Sequence, residues 1–273
     1  MHPFDRALAL ENLASESTKA VFAGALTSDW VQGRGAFGGL TAALLLRAIE
    51  RVIDDKRRQA RTLHVHFTAP VRPGPFHIAV TRVRDGGLVS HLSATMTQDD
   101  QTVAFAVCTC AASRDEVVRY DEHALLRVAP ASEVDIVDLG PPIAPIFTQH
   151  FEYRFAFGEA PFSGARAAHL GGYIRARPPR VLDAALAIAF LDAWPPAAIA
   201  RIDHVRAAAS VDFRVELLPA LSETVFDVDM PFLVECRSRF AAQGYADEEA
   251  SLSVGGVLLA RCHQLVAILG GMS

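Results

Sequence analysis

Two short stretches of this chain are apolar almost all the way round, and they constrain its fold more than any other feature. Residues 38–49 (GGLTAALLLRAI) and 182–194 (LDAALAIAFLDAW) carry apolar side chains on every face of a notional helix. A helix with almost no polar face belongs inside a core. Neither run reaches the roughly 20 residues that a membrane span requires. The second is interrupted by Asp183 and Asp192 and stopped by Pro195. Each helix must therefore be wrapped by other parts of the chain.

The segments that follow each helix supply the wrapping. After the first come runs at 63–69, 76–84, 88–98 and 102–111, and after the second come runs at 208–217, 232–241, 250–253 and 257–269. They alternate in polarity or are rich in β-branched and aromatic residues, and Pro73-Gly74, Gly86-Gly87 and Gly255-Gly256 mark turns between them. The gaps are too short for crossover helices, so the strands are expected to pair antiparallel. The same order thus occurs twice. Trp30 precedes Gly39 by nearly the interval at which Tyr173 precedes Asp183, and the ends of the two units also pattern alike. A polar, proline-bearing stretch at 116–145 reads as a linker, which divides the chain into repeats at 1–115 and 146–273, the second led by an alternating strand at 147–157.

Hydrophobic residues make up 51% of the chain and charged residues 21%, a balance that predicts a folded core and not disorder. The net charge of -5 argues against a nucleic-acid partner, while leaving room for a local basic patch that meets an anionic substrate. No signal-peptide pattern opens the sequence, and Cys108, Cys110, Cys236 and Cys262 are too sparse for a disulfide framework, so a cytoplasmic, membrane-free protein is expected.

Several motifs invite other functions. Gly33-Arg34-Gly35-Ala36-Phe37-Gly38 has the spacing of a dinucleotide fingerprint, but that fingerprint needs a parallel βαβ unit, which the short turns exclude. His64 and His66 face the same way on a strand, yet no third ligand stands at a convincing spacing, so a surface or interface pair is expected and no metal. Neither Ser-x-x-Lys nor Gly-x-Ser-x-Gly occurs, leaving a serine-hydrolase mechanism without a motif. The charged run Asp54-Asp55-Lys56-Arg57-Arg58 with Arg61 reads either as a solvated helix end or as cations for a phosphate-bearing ligand.

A buried helix wrapped by an antiparallel sheet, twice over, is the α+β double-hotdog arrangement, and the sequence resembles the acyl-CoA thioesterase II family. The resemblance is carried by residues 33–39 (GRGAFGG), 66–74 (HFTAPVRPG), 172–175 (GYIR), Leu182-Asp183, 192–196 (DAWPP), 244–248 (GYADE) and 263–265 (HQL). It implies hydrolysis of an acyl-CoA thioester without a cofactor, by a homodimer. It also implies a catalytic Asp near the start of the second long helix, a hydroxyl on the next strand and a Gln on the last strand. Those positions look like Asp183, Ser210 and Gln264. In the first half Gly38 or Gly39, Thr62 and Cys108 stand at equivalent places without an acid, so one complete site per chain is expected.

This chemistry suits the residues. A carboxylate can activate water, a hydroxyl and an amide can hold that water, and glycines at a helix start let a ligand reach backbone amides, which makes Gly38 and Gly39 the candidate substrate contacts. Each residue also has a plainer reading. Asp183 stands where a helix N-cap would. Strict alternation would send Ser210, with Asp212, Arg214 and Glu216, to the face opposite Val211, Phe213, Val215 and Leu217. Two rival functions remain open at this level: an acyl-CoA-binding protein without turnover, and a hotdog-fold enoyl-CoA hydratase, which would require a His beside the acid.

Overall fold

The computed structural model describes residues 1–124 and 126–270. After the short helix α1 (Pro3–Ala7) come β1 (Glu11–Ser15), β2 (Lys19–Leu26), a small ribbon of β3 (Val31–Gln32) and β4 (Gly35–Ala36), and then helix α2 (Gly38–Glu50). Strands β5 (Gln59–Phe67), β6 (Gly74–Asp85), β7 (Val89–Gln98) and β8 (Gln101–Ala111) follow it. Beyond the connecting segment lie β9 (Phe151–Phe157), β10 (His169–Ala176) and helix α3 (Ala184–Asp192). The chain ends with β11 (Ala208–Leu217), the one-turn helix α4 (Pro219–Glu223), β12 (Phe232–Arg237), β13 (Ala241–Ala242), β14 (Tyr245–Val254) and β15 (Val257–Ile268).

Thirteen strands join in one sheet, in the order β1-β2-β6-β7-β8-β5-β11-β15-β14-β12-β10-β9 with β13 added beside β14. Every pairing recorded along it is antiparallel. Short turns force this, because a parallel return would need a crossover. Strands β5 and β11 join its two halves, with Phe213 opposite Val65 and Asp212 opposite His66.

Both apolar helices lie inside this sheet, as their all-round hydrophobicity requires. Leu40, Leu44, Leu45 and Leu46 of α2, and Leu186, Ile188 and Phe190 of α3, are at most 1% exposed. Full burial of each such side chain contributes roughly 1.5–3 kcal/mol, so the helices anchor the core. They run antiparallel: Gly39 at the start of α2 meets Ala189 near the end of α3, and Arg47 near the end of α2 reaches Asp183 at the start of α3. The apolar stretch Ala184–Arg201 is long enough by composition to span a membrane, but most of it is buried in the protein and the helix breaks after Asp192.

The strand expected at 232–241 stops at Arg237, and the one expected at 250–253 is the end of the longer β14. The second helix is shorter than 182–194, because Asp183 caps it and Pro195-Pro196 redirects the chain. The strand expected at 147–157 opens as a 3-10 turn, Ile146–His150. Edge strand β1 was not legible, since it is exposed along its whole length and lacks alternation.

Candidate active site

The two helices are capped in different ways. Helix α3 carries its own cap: Asp183 Oδ1 accepts the Leu186 N–H at 2.9 Å. Helix α2 begins after Phe37, which has no side chain able to cap. Its first amides have no intrahelical acceptor and form the positive end of the helix dipole. The Asp192 carboxylate, at the last residue of α3, fills that role from the neighbouring helix by accepting the Gly39 N–H. Gly38 is bare for the same reason, since a Cβ there would lie 2.8 Å from Asp192 Oδ2.

Two strand side chains converge on the same carboxylate. Ser210 Oγ donates to Gln264 Oε1 at 2.6 Å and lies 3.5 Å from Asp192 Oδ1, while the Gln264 amide also hydrogen-bonds Asp192. Gln264 faces inward on β15 and is only 9% exposed. Burial drives the Asp192 carboxyl up to about 7, against the opposing pull of Gln264, Gly39 and Ser210. A carboxylate with that proton affinity is a competent general base near neutrality.

Ser210 reaches this site through a defect in its strand. On β11 the inward side chains are Phe213, Val215 and Leu217. Unbroken alternation would put Ser210 outside with Asp212 and Arg214. The pairing with β15 instead slips between Ser210 and Asp212, a bulge that leaves Val211 exposed and turns Ser210 inward. Asp212 braces the bulge by accepting the Leu265 N–H at 3.2 Å.

Of the residues expected from the sequence, Ser210, Gln264, Gly38 and Gly39 come together, and Asp183 does not join them. Asp183 and Asp192 stand at opposite ends of α3, about 13 Å apart along its axis. Besides capping α3, Asp183 accepts from Arg180 at 2.7 Å and Arg47 at 2.9 Å. Burial raises its proton affinity, but Arg180, the Leu186 amide and Arg47 outweigh that and hold the carboxyl below its ordinary value. Its ion pairs therefore contribute stability above the unfolded value of 3.8, which is lost as pH falls through the lower folded value. Asp183→Ala is expected to cost about 1–2 kcal/mol for the cap alone and to leave turnover intact. Thermal melts beside an activity assay check this, and a catalytic collapse with an unchanged melt would restore Asp183 to the chemistry.

Asp192 was visible in the sequence as a polar break in an apolar helix, and that break was the signal for it. Glu248 closes the segment 244–248 that carries part of the resemblance, but no local pattern marked it as a site residue. This side chain is 3% exposed, faces inward on β14 and is the cross-strand partner of Gln264. Burial pushes its carboxyl up to about 8, although it accepts the Ala197 N–H with both oxygens, at 3.1 and 3.0 Å. Glu248 thereby ties the turn that follows Asp192 to the strand beside Gln264. No His is among the hydrogen-bond partners of Asp192, Ser210 or Gln264 in the described residues, and His263 points outward toward Glu249 at 3.9 Å. A surface hollow of about 680 Å³, lined in part by Arg127, Phe157 and Arg166, shares no residue with this cluster.

Comparison with known proteins bears on the family and the fold. The sequence model of the acyl-CoA thioesterase N-terminal domain matches residues 26–112, and that of the C-terminal domain matches residues 124–268. A protein of unknown function with a hot dog fold from Alicyclobacillus acidocaldarius is 26% identical, with 100% of each chain covered and a TM-score of 0.87. An acyl-CoA thioesterase II from Mycobacterium marinum is 20% identical over 97% of this chain and 98% of its own, with a TM-score of 0.74. No curated protein matches the sequence. The architecture is a hotdog fold.

Proposed function

The chain belongs to the acyl-CoA thioesterase family and is a thioester hydrolase, and from that premise we propose that it cleaves acyl-CoA to a carboxylic acid and free coenzyme A at Asp192, Ser210 and Gln264. The observation that carries the assignment is the Asp192 carboxylate, half-buried, raised to about 7 and held at the start of α2 beside a hydroxyl and an amide. Asp192 takes the proton of a water that attacks the thioester carbonyl. Ser210 and Gln264 hold that water in line. The oxyanion forms at the Gly38 amide, where the positive end of α2 stabilises it. Collapse of the tetrahedral intermediate expels the coenzyme A thiolate, which is a good enough leaving group to need little help.

The reading extends to the architecture. We take residues 1–115 and 146–273 as two hotdog repeats joined by 116–145, and the strand order supports this. Outward from the central junction it runs β5-β8-β7-β6-β2-β1 on one side and β11-β15-β14-β12-β10-β9 on the other, with α2 and α3 in matching places. At the place in α2 that matches Asp192 stands Arg47, which is paired with Asp183, so the second position holds an ion pair and no base. Pairing of two chains as a homodimer in the cytoplasm remains part of the proposal.

The test is release of free thiol from short-, medium- and long-chain acyl-CoAs across pH 5–9. kcat/KM is expected to rise with pH through about 7, because only the ionised Asp192 accepts the proton. Tight acyl-CoA binding with no thiol release would point to a carrier, and a flat profile would remove Asp192 as the base.

A further inference from the structure

The outward face of the sheet brings together a second set of side chains that the thioesterase reading does not use. His64 and His66 lie on the same side of β5, and β11, from the other half of the chain, places Asp212 directly opposite His66. One ring nitrogen from each His and one Asp212 oxygen all lie within 4.8 Å of one another. The His64 Nε2 to Asp212 Oδ2 separation is 3.9 Å, and the two imidazole centroids are 4.4 Å apart. His66 is held by stacking on Phe105, 4.7 Å between centroids and 13° between planes. The other Asp212 oxygen is fixed by the Leu265 N–H. The third ligand that the sequence spacing withheld is thus supplied by strand pairing.

We propose that His64, His66 and Asp212 form a binding site for a divalent first-row transition metal such as Zn²⁺. Two imidazoles and a carboxylate are a ligand set such ions take readily, leaving a fourth position for water or a small ligand. Ligand bonds of roughly 2.0–2.2 Å put tetrahedral donors about 3.4 Å apart. The side chains of His64 and Asp212 are 41% and 33% exposed, so small rotations can close the present separations. Arg214 stands opposite His64, but its guanidinium is drawn aside to Glu216 at 3.0 Å. Asp192, Ser210 and Gln264 meet on the inward face, so this site stands or falls independently of the thioesterase assignment.

The experiment titrates metal-free protein with Zn²⁺ by calorimetry and with Co²⁺ by visible absorption. Cys108, Cys110, Cys236 and Cys262 are buried and do not compete. One ion per chain is expected, with Co²⁺ ligand-field bands, and a melting temperature that Zn²⁺ raises. His64→Ala and His66→Ala, in the regular part of β5, should each weaken binding at least about tenfold. Asp212→Asn should do the same, but it also loosens the β11 bulge, so the two His variants decide. Binding of undiminished affinity in both His variants, or none to the wild type at submillimolar Zn²⁺, overturns the site.

Discussion

Replacing Asp192 with Asn is expected to stop turnover and at the same time to make the protein more stable at neutral pH. As the general base, the carboxylate accounts for about 10²–10⁴-fold in rate, and that factor is lost. The gain in stability follows from linkage. The folded protein binds the Asp192 proton more tightly than the unfolded chain does, at about 7 against 3.8. The stability due to the protonated carboxyl is complete below 3.8 and is lost as pH rises toward about 7. Beyond that the ionised form costs up to about 4 kcal/mol. Asn does not ionise and escapes this cost. Its melting temperature should exceed that of the wild type by several degrees at pH 8 and by little at pH 4. Melts that stay parallel across this range would show that Asp192 does not carry a raised proton affinity.

Gly38→Ala should act on catalysis far more than on stability. In most helix positions Ala is the better residue by about 1 kcal/mol. At 38, however, the new methyl would lie 2.8 Å from Asp192 Oδ2 and 3.3 Å from Phe67 Cζ. The carboxylate must move, and a displacement near 1 Å from the working geometry costs about 10²-fold. We expect kcat to fall by about that factor with a melting temperature close to the wild type. Gly39→Ala provides the contrast. Its Cβ would lie 2.5 Å from Phe37 Cζ and 3.0 Å from the Ala189 backbone, so it should push α2 and α3 apart and cost about 1–3 kcal/mol. Wild-type turnover in Gly38→Ala would mean that Asp192 is not held where the reaction needs it.

The architecture was legible because burial writes itself into local pattern. Two helices with no polar face could only be enclosed, and strand runs with short turns could only pair antiparallel. Those features depend on residues near one another in the chain. Ser210 and Gln264 were singled out by resemblance alone, since strict alternation on β11 would have aimed Ser210 outward.

The resemblance pointed to Asp183, whereas the structure gathers Ser210 and Gln264 around Asp192 at the other end of the same helix, and the reason is physical. Asp183 and Asp192 bracket the same apolar segment, and nothing local says which one acts. That depends on what each end of α3 meets. Because the helices run antiparallel, one end meets Arg47 and its acid is held in an ion pair, while the other meets the uncapped amides of α2 and its acid is desolvated without a counter-charge. The β11 bulge, the buried Glu248 beside Gln264 and the meeting of Asp212 with His64 and His66 are likewise products of pairing between distant strands. Sequence by itself determined which segments are buried and how they pair locally. Only the tertiary structure decided which carboxylate loses its water and its cations together, because proton affinity is set by neighbours that the chain brings from far away.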